Sequence, residues 1–247
     1  MNEQQNFDKL FSLELERIER SPDFPEQKPR LLLHACCGPC SSAVLERLTD
    51  FFDISIFYYN PNIHPAAEYE RRLEELGFFL EKRYGIAAGN TENGRCDNAD
   101  NDGSTDKKSR PSLIRADYIP DDFFTAVNTK EFPERAFEAE QGERCSLCYR
   151  LRMEKAAVYA IKNGFDYFTT TLSISPHKDA AKINAIGLAL ENELNAPLRY
   201  LYADFKKRNG YKRSLEISAE YGLYRQDYCG CIYSKQNTEK RRGQKKP

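Results

Sequence analysis

The stretch Leu31-Leu32-Leu33-His34-Ala35-Cys36-Cys37-Gly38-Pro39-Cys40-Ser41-Ser42 decides how the chain is read. An apolar run of strand formers ends in three thiols, Gly-Pro breaks the chain, and Ser41 or Ser42 can cap a helix from Ala43 through Leu48. The cysteines therefore stand at the carboxyl end of a first strand, the edge where open α/β sheets bind ligands. Thiols so closely spaced point to metal binding, redox chemistry or both. Two further thiol groups lie far away in sequence, Cys145-Ser146-Leu147-Cys148 and Cys229-Gly230-Cys231, and Cys96 stands alone.

Downstream of the first helix, Phe52 to Tyr59 reads as a second strand ending in Asn60-Pro61-Asn62-Ile63-His64-Pro65, and Glu68 to Lys82 as a helix stopped near Gly85. Strand, helix, strand, helix in that order predicts a parallel sheet with right-handed crossovers. Leu113 to Tyr118 is a short strand, followed by a helix holding Phe123, Phe124 and Val127. Cys145 and Cys148 open a long helix whose Leu147, Leu151, Val158 and Ile161 are expected to face the core, and whose amino end is expected to lower the thiol pKa values. Tyr167 to Leu172 and Leu198 to Tyr202 are the last strands, separated by a helix with Ile183, Ile186, Leu190 and Leu194 on one face, and Ser214 to Tyr221 is a final helix. Ahead of all this, Phe7 to Arg20 carries apolar residues at a helical period. The expected organisation is a helical extension over 1–28, an α/β catalytic domain over 29–234 and a basic, disordered tail over 235–247. Within the domain, 87–111 is a polar insertion in which Cys96 reads as an incidental surface thiol.

The length of 247 residues suits one domain with a real core. No charged leader precedes an apolar signal core, and no apolar run approaches the roughly 20 residues that span a bilayer. The expectation is a cytoplasmic protein, where glutathione keeps thiols reduced. Eight cysteines then argue for metal or redox work rather than a disulfide framework. A net charge of −1 advertises no global attraction to nucleic acid, but Lys206, Lys207, Arg208, Lys212 and Arg213 cluster, and the tail adds Lys235, Lys240, Arg241, Arg242, Lys245 and Lys246. These runs read either as solvated surface or as phosphate contacts.

Cys37-Gly38-Pro39-Cys40 after a strand also has the form of a thioredoxin-type dithiol. Against it stand the absence of any Trp and the excess of thiols over what dithiol exchange needs. Inert buried cysteines fit poorly with three tight clusters, each beside Gly, Pro or a helix start. Structural zinc takes four thiolates and so does an iron-sulfur cluster, and spacing alone leaves the two unresolved.

The motifs together resemble the QueH-type epoxyqueuosine reductase family. The resemblance runs through 32–42 and 58–65, through Arg144-Cys-Ser-Leu-Cys-Tyr-Arg-Leu-Arg152 and 168–176, and through Asp204-Phe-Lys-Lys207 and Tyr224-Arg-Gln-Asp-Tyr-Cys-Gly-Cys-Ile-Tyr-Ser234. It implies a Rossmann-like, nucleotide alpha-hydrolase-like three-layer α/β fold with added helices, and reduction of epoxyqueuosine in tRNA to queuosine. It also implies a 4Fe-4S cluster and no cobalamin, and the expected partners are tRNA carrying epoxyqueuosine and an external electron donor whose identity the sequence does not give. Carried over by motif, Cys36, Cys37, Cys145 and Cys148 are the cluster ligands, and Cys229 with Cys231 is a redox-active pair or holds an adjacent iron ion. Cys40, where some family members carry Asp, is a ligand or a disulfide partner. His64, His177, Tyr149 and Asp204 are candidate proton donors, each also readable as structural or substrate-positioning. The contrasting reading is a zinc-stabilised tRNA-binding module without redox activity.

Overall fold

The computed structural model describes residues 6–86 and 110–243. Its strands are β1 (Arg30–His34), β2 (Asp53–Tyr58), β3 (Ser112–Arg115), β4 (Tyr167–Thr170) and β5 (Arg199–Tyr200). They form one sheet in the order β3-β2-β1-β4-β5, with every pairing parallel. The helices are α1 (Phe7–Glu19), α2 (Gly38–Leu48), α3 (Ala66–Tyr84), α4 (Pro120–Val127), α5 (Glu143–Lys162), α6 (Ala180–Leu194), α7 (Gly210–Glu220) and α8 (Ile232–Gly243).

Leu31, Leu32 and Leu33 have no solvent exposure because the central strand is covered on both faces. Successive side chains alternate. Leu31 and Leu33 join the core beneath α1, α2, α3 and α7, and Leu32 joins the opposite core with α5 and α6. This is the expected three-layer α/β architecture. The chain leaves β1 toward β2 on one side and returns to β4 on the other, so the carboxyl ends of β1 and β4 flank the topological switch point, where such sheets open a crevice. His34 ties that edge together: its ring nitrogens lie 2.9 Å from Thr170 Oγ1 and 3.0 Å from the Tyr59 carbonyl oxygen.

Four expectations shift. α2 begins at Gly38 with Pro39 in its first turn, so Ser41 and Ser42 lie inside the helix instead of capping one from Ala43. Val158 and Ile161 of α5 are substantially exposed, and the core face carries Cys148, Tyr149, Arg152, Met153, Ala156, Ala157 and Ala160. Small alanines let the helix lie close on β1 and β4, so the largest aliphatics were a poor guide to its register. Beyond Thr170 the chain turns into a short 3-10 segment over Thr171–Ile174 instead of extending the strand, because the Thr170 hydroxyl accepts from the Leu172 N–H at 3.2 Å. The span from 235, expected to be disordered, is helical to Gly243. Its first turn is fixed by the Lys235 N–H donating to the Cys231 carbonyl at 3.0 Å, and Lys, Gln, Glu and Arg sustain the rest. The expected helical extension is part of the main core: Phe11 packs edge-on against Phe205 with ring centroids 5.7 Å apart. The expected insertion, Cys96 included, lies outside the described residues except for Arg110 and Pro111.

Candidate active site

A cavity of about 260 Å³ opens at the switch point. Cys36, Pro39 and Cys40 line it from the start of α2, and Ile174 to Lys178 from the loop after β4. Cys145 and Tyr149 contribute from α5, Arg225 to Cys229 from the loop before α8, and Thr238 and Arg241 from α8 itself. All three thiol groups of the sequence thus meet at one place. Cys37, Cys148 and Cys231 are buried beside this wall, and all seven described cysteines are free.

The tightest grouping is Cys36, Cys37 and Cys40, whose sulfurs all lie within 4.8 Å of one another. Two come from consecutive residues in the extended turn leaving β1, and the third from the first turn of α2. The Gln226 side-chain amide donates to the Cys37 sulfur at 3.2 Å, joining the loop before α8 to this group. Hydrogen bonds from Cys37 and then Cys40 hold the Cys36 thiol well below its ordinary pKa, while Cys37 is pushed up to about 12 by sharing with Cys36.

Cys229-Gly230-Cys231 is held from below by α3. Arg72 is buried, donates from Nε to Glu68 at 2.7 Å, and reaches the carbonyls of Cys229 at 3.2 Å and Tyr228 at 3.3 Å. Gly230 has φ +125°, in the region that favours glycine. A Cβ there would stand 3.0 Å from Arg72 Nη1 and 3.1 Å from Ile63 Cγ1. Its carbonyl accepts from the His64 N–H at 2.8 Å. The Ser234 hydroxyl accepts from the Cys229 N–H at 3.0 Å and donates to Glu140 at 2.7 Å.

Two cations face the sulfurs. Arg152 is 1% exposed, its Nη2 has no acceptor, and no carboxylate pairs with it among the described residues. Burial pulls its pKa down, and the sulfurs of Cys148, Cys229 and Cys36 more than restore it. Lys178, half-buried at the cavity wall, behaves alike: desolvation opposes its charge, and Cys229, Cys36, Tyr149 and Cys40 hold its pKa above the ordinary value. A buried charge without a counter-charge is strongly unfavourable. The donor set supplies the remedy, since thiolates gathered on a metal are anionic. The residues present therefore fit a thiolate-bound metal centre.

Burial also corrects the expectation for α5. It raises the Cys145 pKa and pushes Cys148 up to about 11, outweighing the helix amino end. Of the proton-donor candidates, Tyr149 and His177 line the cavity. Asp204 and His64 do not. Asp204 pairs with Lys206 at 3.1 Å, and Lys206 in turn donates to the Ser173 carbonyl at 2.9 Å, so the pair braces the loop after β4. His64 meets the 228–231 loop through its backbone, its carbonyl accepting from Tyr228 Oη at 2.7 Å. Sequence reasoning passed over Arg152, Lys178 and Gln226. The usable signal was Arg152 four residues after Cys148, the spacing that puts both on one helix face.

The family model for epoxyqueuosine reductase QueH matches residues 31–237. The chain belongs to the QueH family. It is 36% identical over 233 residues to the epoxyqueuosine reductase QueH of Streptococcus pyogenes serotype M1, covering 94% of this chain and 79% of that protein. It is likewise 36% identical over 217 residues to the QueH of Acinetobacter baylyi, with 87% and 85% covered. With the QueH of Thermotoga maritima it shares 32% over 212 residues, covering 83% and 89%. The QueH match takes in all three thiol groups and stops within α8. Among the described residues no helix is long and apolar enough to cross a membrane.

Proposed function

We propose that this protein reduces epoxyqueuosine in tRNA to queuosine, as the names of its relatives state for them. The observation that carries the proposal is the convergence of three cysteine groups distant in sequence on one cavity at the switch point, lined by Cys36, Cys40, Cys145 and Cys229. Removing an epoxide oxygen to leave an alkene consumes two electrons and two protons and releases water. Cys36, Cys37, Cys145 and Cys148 would hold a 4Fe-4S cluster, which would supply electrons one at a time.

The chain's own part is binding, orientation and proton delivery. Cys229 and Cys231, in the loop pinned by Arg72 and His64, stand as a redox pair or as ligands of an adjacent iron, with Cys40 lining the same cavity. The Lys178 ammonium faces the same space and stabilises negative charge where the C–O bonds break. Tyr149, whose pKa burial raises, keeps its hydroxyl proton for hydrogen bonding to the departing oxygen, and His177 stands at the more exposed wall. Asp204 and His64 act by positioning, through Lys206 and through the backbone. Independence from cobalamin belongs to the same proposal, as does a cytoplasmic site of action, where tRNA is the partner and an external donor supplies the electrons.

The deciding experiment is anaerobic purification followed by metal analysis and turnover on epoxyqueuosine-containing tRNA without cobalamin. Iron with acid-labile sulfide and conversion to queuosine is the expected result. Zinc in a colourless, inactive protein would instead establish the tRNA-binding module.

A further inference from the structure

The cavity wall is completed by α8, and the two residues it contributes, Thr238 and Arg241, lie beyond residue 237, where the QueH match ends. Part of the pocket is therefore built by residues outside that match. The charged groups facing the cavity from every neighbouring element are Lys178, Arg225 and Arg241, with His177, against Glu140 and Asp227. Both carboxylates are engaged: Glu140 accepts from Ser234 at 2.7 Å, and Asp227 pairs with Arg242. Arg225 is directed inward, donating to Ser218 Oγ at 3.0 Å, and Lys178 faces the sulfurs. The Arg241 side chain is exposed and has neither an ion pair nor a hydrogen bond among the described residues. Cations at a helix carboxyl end interact favourably with the helix dipole, which accounts for Lys240, Arg241 and Arg242 as a group. The dipole does not account for Arg241 standing on the cavity side.

Size indicates what this cation meets. A cavity of about 260 Å³ falls just below the roughly 300–1,000 Å³ of pockets that enclose drug-sized ligands. One nucleoside base with its substituent is the scale that fits, and a loop of RNA is not. Tyr149, Tyr211 and Tyr228 line the walls, aromatic surface of the kind on which unstacked bases rest. A nucleoside that enters such a pocket swings out from its neighbours, leaving its flanking phosphates at the mouth.

We propose that Arg241 of α8 binds a phosphate of the tRNA strand next to the nucleoside held in the cavity, making α8 an RNA-binding wall of the site. This rests on the reading of the cavity as the epoxyqueuosine site. The contact is electrostatic and positions the strand without reading its sequence.

The test compares wild-type protein, Arg241→Ala, Arg241→Lys and Lys162→Ala for binding to tRNA carrying epoxyqueuosine, by anisotropy between about 50 and 200 mM salt. Lys162, at the far end of α5, is the control for a general loss of positive charge. One lost phosphate contact lowers the slope of log affinity against log salt by about 0.7–0.9. Over that salt range the wild type should then lose about three-fold more affinity than Arg241→Ala, with Arg241→Lys close to wild type and Lys162→Ala unchanged. A slope in Arg241→Ala equal to wild type, or a loss matched by Lys162→Ala, overturns the proposal. Turnover by the wild type is scored separately. Tight binding with the epoxide left intact would refute the reductase reading, while the slope comparison still decides the Arg241 contact.

Discussion

Arg152 donates from Nε to the backbone carbonyl of Cys148 at 3.2 Å, one turn earlier on α5, and leaves its buried Nη2 without an acceptor. A guanidinium in this position is a liability to the metal-free fold and an asset to a thiolate-bound centre. Arg152→Met should therefore act in opposite senses on the two. Exchanging a buried ion for a well-packed apolar residue is often neutral or stabilising by about 1–4 kcal/mol, so the metal-free variant should melt no lower than wild type. Bound iron per chain should fall, and any centre that forms should have a lower reduction potential, with about 60 mV corresponding to 1.4 kcal/mol for one electron. Metal analysis, redox titration and thermal unfolding check this. Full iron content at an unshifted potential in a destabilised protein would mean that Arg152 only packs.

The cluster ligand set is tested by colour. Anaerobic wild-type protein should be brown and bleach with dithionite. Cys36→Ala, Cys37→Ala and a Cys145→Ala, Cys148→Ala double variant should each lose most of their iron, because an iron is left without its protein thiolate. Full occupancy in the double variant would remove α5 from the ligand set and leave Cys36, Cys37 and Cys40, the group within 4.8 Å, as its nucleus.

How much of this was legible depended on whether local chemistry or long-range packing set the outcome. Leu31 to Cys40 announced a buried strand ending in thiols because the apolar run and the Gly-Pro after it are local signals, although Gly38-Pro39 opens α2 rather than separating the strand from a helix at Ala43. The switch point followed from element order. The face of α5 did not, because Ala156, Ala157 and Ala160 outcompete Val158 and Ile161 through closeness to the sheet, which composition does not display. The basic cluster near residue 206 could be read either as solvated surface or as phosphate contacts for a related reason. Lys206 is tied to Asp204 at 3.1 Å, Arg208 to Asp8 at 3.0 Å and Arg213 to Glu46 at 2.8 Å, and two of those partners are more than 160 residues away. Charge balance is a property of the folded surface. In the same way the tail, basic and polar by composition, becomes a wall of the site once the Ser234 contacts anchor it.

Gly230 gives a prediction about positioning. Gly230→Ala adds a Cβ at φ +125° and about 3 Å from Arg72, a strain of about 1–3 kcal/mol that falls on the loop rather than on the sheet. Thermal stability should drop only slightly, by a few degrees, while turnover falls at least tenfold with iron content retained. Parallel loss of iron would show that the loop supports the cluster directly.

Cys229 and Cys231 should be required for turnover and dispensable for the cluster. Only Gly230 separates them, and the loop that carries them is fixed by Arg72, His64 and Ser234 rather than by the β1–α2 turn and the α5 residues that present the proposed ligands. Cys229→Ser and Cys231→Ser should come out brown and fail to convert epoxyqueuosine in tRNA. Cys40 separates the two roles open to the pair. A carboxylate can ligate iron but cannot exchange disulfides, so Cys40→Asp should keep substantial activity if Cys40 and the pair hold a second iron, and lose it if they cycle through a disulfide. Iron analysis sharpens the comparison, because a second site should disappear from Cys229→Ser while the visible band persists. Colourless Cys229→Ser and Cys231→Ser proteins would make these residues cluster ligands and move the second function elsewhere in the cavity.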